Sequence, residues 1–587
     1  MFAALALAVV QLFWIQGINA ADLSAQSADQ RATTVTLHAV RGQIADRNGK
    51  VLAFTMQARA LTVRPLVVRK QLQQAHERDP KNAPTVQAEL DAIAAEINKR
   101  LGKAAPVAEL LRKLHSNETF EYLVRRVDAG VAAEIKAKFP LEVGVDRDYV
   151  REYPGGSLAA NVLGAAGWDG HGLMGLELAL DAKLAGRDGS ETYDRSSDGI
   201  EIAGSRRDRQ PAVDGADVQL TLDSDLQYYV QQQVQQAKEM SLADDAQAVV
   251  LDAKTGQVLA MANDNTFNPS RGPKYFDVGV NGNPTTTSPF EPGSVNKVVT
   301  AASLMEYHLA APDEVLQVPG RIDMGGVTVH DAWDHGVAPY TVTGVFGMSS
   351  NVGTLMLAQR VGAARYADML RRFGIGRRTG IGLPGESSGE LPPRSQWSDS
   401  TFANLPIGQG LSMTLLQMTS MYQAIANDGV RMPPRIIASV TGRDGKQVPA
   451  PMPEGVRVVS PTAARAVREM FQAVTQRDPM GVQTGTGPSA AIAGYPIAGK
   501  TGTAQKVDEH CHCYSNSNYW ITFAGIAPAD NPRFVVGIML NAPQRSSDGS
   551  GGMSAAPLFH NIASWLLQRD GVPLSPNPPK RLVLEQR

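Results

Sequence analysis

The chain has 587 residues, too many for one ordinary hydrophobic core, so at least two folded domains are expected. Hydrophobic residues make up 43% and charged residues 19%, the mix of a globular protein with at most a limited membrane part. The net charge of −2 shows no basic excess, which argues against a nucleic-acid partner. Two cysteines, Cys511 and Cys513, are too few for a stabilising disulfide framework.

The first 21 residues contain no Asp, Glu, Lys or Arg. A helix of about 20 apolar residues spans the roughly 30 Å core of a bilayer. Residues 1–21 are therefore predicted to form a single transmembrane anchor, and the alternative is a signal peptide cleaved after Ile18-Asn19-Ala20. No Lys or Arg precedes the segment, so we expect the anchor to be truncated on its cytoplasmic side.

Residues 22–37 are polar without strong periodicity and are predicted to be a stalk. The Asn48-Gly49 pair lies between short apolar runs, which indicates a hairpin turn. Apolar residues recur at helical spacing from Val86 to Leu101, and Gly102 is expected to end that helix. We place a non-catalytic domain at 38–206.

The second half has clearer periodicity, and we place a second domain at 215–570. Asp223 or Ser224 can cap a helix, and a last helix is expected to start near Ser554. Apolar runs on either side of a turn predict hairpins at 248–262 and 520–540. Strand pairs at both ends of a helical middle suggest one antiparallel sheet with helices packed on it. The proline-rich tail, 571–587, is expected to be extended and poorly packed.

Three short motifs follow one another in this second domain: Ser294-Val-Asn-Lys297, Ser349-Ser350-Asn351 and Lys500-Thr501-Gly502-Thr503. Each alone is common by chance, as a solvated helix face, a turn or a strand end. Their joint occurrence in this order favours an active site.

The first motif supplies a nucleophile and a base. Pro292-Gly293 breaks the chain, so Ser294 is predicted in the first turn of a helix, with Lys297 on the same face. A serine hydroxyl needs a base to take its proton, and lysine serves only when its amine is neutral. Burial and a second cation, here Lys500, would both lower the pKa of Lys297.

The other two motifs supply polar groups around that pair. Asn351 is predicted to hold the Lys297 amine and a substrate amide, and Ser349 to relay a proton to the leaving group. An edge strand carrying Lys500 would pair with substrate backbone, while the Thr501 and Thr503 hydroxyls bind a carboxylate. The backbone N–H groups of Ser294 and Thr503 are predicted to form the oxyanion hole.

Together these motifs resemble those of the penicilloyl-serine transferases, which include β-lactamases and penicillin-binding proteins. The chain is most similar to the class B penicillin-binding proteins, and the resemblance can be followed from about residue 3 to about residue 570. Further segments that carry it are Arg41–Gly49, Arg151–Pro154, Gly172–Glu177, Phe290–Gly293, Gly374–Gly376, Gly380–Gly385 and Gly408–Gln417.

The resemblance implies an α+β fold. Its transpeptidase domain would be a five-stranded antiparallel sheet flanked by helices, on an elongated N-terminal pedestal (the dimerisation domain) without a glycosyltransferase. The implied catalytic residues are Ser294, Lys297, Ser349, Asn351 and Lys500. The residues implied to bind a stem peptide or β-lactam are Ser350, Thr501, Gly502 and Thr503.

The implied reaction cross-links peptidoglycan stem peptides derived from lipid II, through an acyl-enzyme at Ser294, without metal or organic cofactor. β-Lactams would acylate the same serine. The motif 349–351 and the single anchor are similar to septal, FtsI-type members, with Tyr519–Gly525 and the Cys-x-Cys pair similar to actinobacterial ones. This implies a cell-membrane protein with its catalytic domain outside the cytoplasm, working with an FtsW-like glycosyltransferase and other divisome proteins.

Four other functions remain open from the sequence. An elongation-type transpeptidase and a D,D-carboxypeptidase would use the same residues. A non-catalytic penicillin sensor or a divisome scaffold would use the same fold. A β-lactamase would need a deacylating glutamate, and Glu386 and Glu390 lie in no supporting pattern. The His510-Cys-His-Cys513 cluster is spaced more tightly than structural zinc sites, which argues against a metal site; the alternatives are a strained disulfide or two free thiols.

Overall fold

The computed structural model describes residues 11–15, 19, 31–196, 201–277, 281–508, 511, 513–544, 554–576 and 580–586. The chain divides into two compact units that alternate along the sequence. The first comprises Met1–Gln43, Ala53–Glu152 and Ala182–Ala216, and the second Ile44–Leu52, Tyr153–Asp181 and Asp217–Arg587. The predicted domain limits, 38–206 and 215–570, stay predictions.

The first unit packs helices on a small antiparallel sheet. Strand Val51–Val63 enters it from the second unit and pairs with Glu121–Val127 and Gly144–Glu152. A second sheet joins Ala32–Leu37, Gly189–Asp194 and Arg207–Gln210. The α-helices are Pro65–Arg78, Val86–Leu101, Val107–Leu114, Ala129–Lys138 and, apart from its first residue, Asp181–Leu184.

The predicted helix Val86–Leu101 is confirmed, and the sequence explains its limits. Thr85 caps it by accepting from the Ala88 N–H, and Leu90, Ile93 and Ile97 form the buried stripe. Gly102 follows with φ of +56°, a conformation that suits glycine. The predicted stalk, in contrast, includes strand Ala32–Leu37, whose alternating threonines and valine pair with Gly189–Asp194.

The second unit contains a five-stranded antiparallel sheet that joins both ends of its sequence, as predicted. The strand order is Val258–Asn263, Asp245–Asp252, Phe534–Asn541, Cys513–Ala527 and Ala498–Asp508. Helices Ser224–Ser241 and Ala555–Arg569 pack on it with a core that includes Phe523 and Phe559. Helix Leu415–Ala426 also packs on the sheet, so the central strand Phe534–Asn541 is buried throughout.

The remaining elements of this unit surround that sheet. Its other α-helices are Ala160–Leu163, Gly175–Ala179, Pro284–Thr287, Lys297–Glu306, Val342–Gly347, Asn351–Val361, Ala363–Phe373, Asp399–Asn404 and Pro461–Phe471. Its other strands are Ile44–Ala45, Ala165–Ala166, Gly172–Met174, Asp217–Leu220, Val315–Val318, Arg321–Met324, Val327–His330, Ala338–Thr341, Val430–Arg431, Ile437–Thr441, Gln447–Pro449 and Val456–Arg457.

Two predictions about the chain ends have different outcomes. The predicted anchor, 1–21, falls mostly outside the described residues, and none of the helices within the described part has the length and apolarity to span a bilayer. The prediction of a poorly packed tail is wrong for Arg581–Gln586, because Leu584 is fully buried and the backbone around it is hydrogen-bonded.

Candidate active site

Ser294 and Lys297 lie in consecutive helical turns. A 3-10 turn, Gly293–Asn296, leads directly into helix Lys297–Glu306. Ser294 is partly buried, and its hydroxyl has no hydrogen-bond partner within the described part of the chain. The Lys297 side chain is fully buried. The predicted placement of Ser294 in the first helical turn is therefore confirmed.

The Lys297 amine is held by the second motif. It donates to the Ser349 carbonyl at 2.7 Å and to Asn351 Oδ1 at 2.7 Å, and lies 3.3 Å from Ser349 Oγ. Burial lowers the pKa of Lys297 to about 7, and the negative charge of Asp331 opposes part of that shift. The neutral amine is therefore available near neutral pH.

Ser349 sits at a strained turn between two helices. Helix Val342–Gly347 ends just before it, and helix Asn351–Val361 begins two residues later. Its φ is +64°, a left-handed conformation that is uncommon for a residue with a side chain. Strain of this kind is retained where the surroundings fix it, which often marks a functional site.

Lys500 approaches Ser349 from the sheet. It lies on the edge strand Ala498–Asp508 and is fully buried. Its amine donates to Ser349 Oγ at 2.8 Å and to the Thr501 carbonyl at 3.0 Å. Burial, and then the nearby charge of Lys297, hold the pKa of Lys500 well below its ordinary value. Ser349 Oγ therefore lies between two amines that are not readily charged together.

The rest of the third motif packs against the nucleophile turn. A Cβ added at Gly502 would lie 2.8 Å from the Pro292 carbonyl oxygen, and one at Gly293 would lie 2.8 Å from that of Thr503. The two glycines therefore let the strand approach the segment of Ser294 closely. Thr503 is exposed, whereas Thr501 is buried, with its hydroxyl 2.7 Å from that of Thr486.

The prediction that Ser350 binds substrate is wrong. Ser350 is fully buried and caps helix Asn351–Val361. Its hydroxyl accepts a hydrogen bond from the Gly353 N–H at 2.8 Å and donates one to Asp331 at 2.7 Å. Both its donor and its acceptor capacity are therefore used inside the protein. The middle residue of the motif is structural because the turn points only its neighbours toward the lysines.

Asp331 is a part of the site that the sequence did not reveal. Its carboxylate accepts from the backbone N–H groups of Asn351, at 2.5 Å, and Val352, at 3.0 Å, at the start of a helix. It also lies 3.0 Å from His335 Nε2. The preceding carbonyl, of His330, accepts from Asn351 Nδ2 at 3.2 Å. This orients the amide so that its oxygen faces Lys297. A single aspartate after a short strand gives no recognisable local signal.

The structure also shows the contacts of the glutamates and cysteines considered in the sequence analysis. The Glu386 carboxylate is buried and accepts from the backbone of Thr379 and Gly380. Glu390 pairs through its backbone with Ser412. Cys511 and Cys513 form a disulfide, with Cα atoms 5.2 Å apart. No group of His, Cys, Asp and Glu side chains suited to a metal ion occurs among the described residues.

Comparison with known proteins agrees with this geometry. The family model "Penicillin binding protein transpeptidase domain" matches residues 246–564, and "Penicillin-binding Protein dimerisation domain" matches 36–220. Penicillin-binding protein PbpB of Mycobacterium tuberculosis is 62% identical over 98% of this chain and 85% of the relative. Peptidoglycan D,D-transpeptidase FtsI of Escherichia coli is 32% identical over 96% of this chain and 90% of the relative.

Solved structures give the same result. A crystal structure of penicillin binding protein 3 from Mycobacterium tuberculosis complexed with ampicillin has a TM-score of 0.74 and 54% identity, and covers 94% of this chain and 100% of that chain. The aztreonam complex of the same protein has a TM-score of 0.73 and 53% identity, with the same coverage. The chain therefore belongs to the class B penicillin-binding proteins, with a dimerisation domain followed by a transpeptidase domain.

Proposed function

We propose that the chain is a peptidoglycan D,D-transpeptidase that forms stem-peptide cross-links through an acyl-enzyme at Ser294. One observation carries this function: the Ser349 hydroxyl lies between the amines of Lys297 and Lys500, beside the helical turn of Ser294. In this proposal Ser294 is the nucleophile, Lys297 is the base with a lowered pKa and Ser349 is the proton relay.

The first step forms the acyl-enzyme. The neutral Lys297 amine takes the Ser294 proton while Oγ attacks the carbonyl of the D-Ala–D-Ala bond. The backbone N–H groups of Ser294 and Thr503 stabilise the oxyanion. When the C–N bond breaks, the proton passes from Lys297 through Ser349 to the departing D-Ala amine. Two donated hydrogen bonds, to the Ser349 carbonyl and Asn351 Oδ1, use both hydrogens of the neutral amine and leave its lone pair available.

The second step transfers the acyl group. An amine on a neighbouring stem peptide attacks the ester carbonyl and loses a proton to the lysine–serine relay. Ser294 leaves with that proton restored, so the step regenerates the enzyme and yields the cross-link. The edge strand Ala498–Asp508 offers backbone groups along which a stem peptide can add as a further strand. The exposed side chain of Thr503 is proposed to bind its carboxylate.

β-Lactams are proposed to acylate the same serine, because they resemble the D-Ala–D-Ala end. Support comes from the similar protein of Mycobacterium tuberculosis, which has been crystallised with ampicillin and with aztreonam. The Glu386 carboxylate accepts hydrogen bonds from Thr379 and Gly380, so this glutamate is not available to activate a deacylating water as in a β-lactamase.

We further propose a septal role at the cell membrane. The catalytic domain would face outward, with an FtsW-like glycosyltransferase and other divisome proteins as partners. The resemblance to FtsI-type members and the similarity to a relative named FtsI support this role. Depletion in cells tests it: filaments with incomplete septa are expected, whereas loss of rod width control without a division block would favour the elongation-type alternative.

The activity is tested with purified protein, a stem pentapeptide donor and an amine acceptor. The wild-type protein should form the cross-linked product as well as release D-Ala, and Ser294→Ala should form neither while its thermal unfolding is unchanged. Ser564→Ala, on the last helix of the same unit, is the matched control and should keep activity. Release of D-Ala without any amide product would instead identify a D,D-carboxypeptidase.

A further inference from the structure

We propose that the segment Arg581–Gln586, here named the strap, is a positioning element for acylation, bound in a peptide groove of the second unit behind the Ser349 turn. The inference rests on the proposed function of Ser294 and adds to it. The strap lies some 290 residues beyond Ser294 in sequence, and all groups that bind it belong to the same unit.

Two glutamines recognise the strap backbone. The Gln476 side chain accepts from the Leu582 N–H at 2.7 Å and donates to the Leu582 carbonyl at 3.0 Å. The Gln483 side chain accepts from the Leu584 N–H at 2.5 Å and donates to the Glu585 carbonyl at 2.8 Å. Each glutamine side chain thus accepts from a backbone N–H group and donates to a backbone carbonyl of the extended strap. Such paired contacts are a form of binding by backbone pairing and are largely independent of the side chains.

The opposite side of the strap pairs with strand Ala338–Thr341. The Thr341 N–H donates to the Leu584 carbonyl at 3.0 Å, and the Gln586 N–H donates to the Pro339 carbonyl at 2.9 Å. Thr341 Oγ1 donates to the Val583 carbonyl at 2.6 Å and also accepts from the Gly344 N–H, as the N-cap of helix Val342–Gly347. The strap therefore fixes the start of that helix.

Leu584 fixes the body of the same helix. Its side chain is fully buried. A Cβ at Gly344 would lie 1.9 Å from the Leu584 carbonyl oxygen, and one at Gly347 would lie 3.3 Å from its side chain. The helix thus carries glycine at both positions where the strap approaches, so that its backbone meets the strap directly.

The contacts continue from this helix to the reacting groups. Ser349 follows Gly347 by two residues and binds both lysines. The Gly347 carbonyl accepts from the Thr486 N–H at 3.2 Å, and the Thr486 hydroxyl lies 2.7 Å from that of Thr501. The helix that the strap holds therefore joins the second and third motifs. A displacement of about 1 Å at such a site can cost up to about 100-fold in rate.

The groove recognises two side chains of the strap, those of Leu584 and Arg581. Arg581 pairs with Asp478 at 2.9 Å, and the Asp478 side chain is only 2% exposed. The neighbouring Val583 side chain points outward and is 56% exposed. The groove therefore fits an extended peptide with a cation three residues before a buried leucine.

The test uses a chain that ends at Lys580, labelled with a fluorescent penicillin. Its first-order acylation constant is expected to fall about tenfold or more, with little change in the dissociation constant of the penicillin. A synthetic peptide of residues 580–587, added in trans, should bind the shortened chain and restore the rate. The same peptide with Leu584→Asp should do neither.

If the shortened chain does not fold, variants of the intact chain test the positioning role of the strap. Leu584→Ala should slow acylation about tenfold and Leu584→Ile should restore it to within about twofold, while Val583→Ala, the control, should not change it. A lower labelled fraction with an unchanged rate constant would show a merely structural role and overturn the inference, as would full-rate acylation by the folded shortened chain. Absence of labelling in the wild-type protein would instead refute the proposed function.

Discussion

The hydroxyl of Ser349 lies between two buried lysine amines, and this arrangement explains how a lysine can act as a base near neutral pH. Burying two amines costs solvation free energy, which disfavours the doubly charged state. Hydrogen bonds from the Lys297 amine to a carbonyl and an amide oxygen then fix its direction. The pair, rather than either residue alone, sets the pH dependence of the reaction.

The rate of acylation should rise with pH through a value near 7. Lys297 is active when neutral, and burial lowers its pKa to about 7, so the rate is lost as pH falls below that value. The groups that face this amine are Lys500, Asp331 and, behind Asp331, His335. Stopped-flow labelling between pH 5 and 9 measures the profile. A rate that is flat across this range would contradict the assignment of Lys297 as the base.

Asp331→Asn should shift the loss of acylation rate at acidic pH to a lower pH. The negative charge of Asp331 favours the charged form of Lys297, so its removal lowers the lysine pKa further. The maximal rate should also fall, about tenfold, because the carboxylate holds the backbone of Asn351. Asp323→Asn, on an exposed strand, is the control. If the pH at which the rate falls stays the same or rises, the charge of Asp331 does not act on Lys297 as proposed.

The sequence predicted Ser294, Lys297, Ser349, Asn351 and Lys500 at one site, and the structure brings four of them into direct hydrogen-bonding contact, with Ser294 on the adjoining turn. Helical spacing explains the first pair, since residues three apart share a face. Spacing could not assign Ser350 or Asp331. The direction of a side chain at a strained turn depends on φ, and a capping partner 20 residues away leaves no periodic signal.

The edge strand Ala498–Asp508 is the element that closes the site. Its close approach to the nucleophile turn depends on glycine, because a Cβ at Gly502 would lie 2.1 Å from Thr522 Oγ1 and 2.8 Å from the Pro292 carbonyl oxygen. Neither neighbour is the end of a long, flexible side chain. Any side chain at 502 must therefore displace the strand or the turn.

Gly502→Ala is expected to lower the rate of penicillin labelling by about 100-fold, because it separates Lys500 and Thr503 from Ser294. The free energy of unfolding should fall by about 1–3 kcal/mol, the usual cost of overpacking. Acylation kinetics and thermal unfolding measure the two effects. Gly336→Ala, where an added Cβ meets nothing within 4 Å, is the control. Near-normal labelling in Gly502→Ala would show that this contact does not position the site.

Hairpins and capped helices could be predicted because their signals are local. The apolar runs flanking Asp530-Asn531-Pro532 became paired strands, and Asp223 caps helix Ser224–Ser241 as expected. The burial of Arg581–Gln586 could not be predicted in this way. Its short apolar pattern, Leu582-Val583-Leu584, follows a run of prolines, and its partners Gln476 and Gln483 lie about 100 residues earlier.

The second unit as a whole is assembled from distant pieces of the chain. The turn at Asn48-Gly49 belongs to it, and its Asp46 carboxylate is buried. One oxygen of that carboxylate accepts from the Asn48 and Lys50 N–H groups, and the other from both the N–H and the hydroxyl of Ser224. The unit therefore includes the segment Ile44–Leu52, which lies far from the rest of it in sequence, and no local pattern of the sequence signals this association.

Asp46→Ala should reduce the free energy of unfolding by about 2–4 kcal/mol, because it leaves several buried donors without an acceptor. Asp225→Ala, on the same helix start, removes an exposed ion pair with Lys50 and should cost less than about 1 kcal/mol. Urea unfolding followed by fluorescence compares the two. Equal, small effects would show that residues 44–52 do not stabilise the second unit.

The proposed role of Ser294 as the acylated nucleophile can be tested by mass spectrometry of the penicillin adduct. The protein is incubated with a β-lactam, digested, and the modified peptide is sequenced. A single penicilloyl group is expected on the side chain of Ser294. A stable adduct on Ser349 or on any other residue, with Ser294 unmodified, would contradict it.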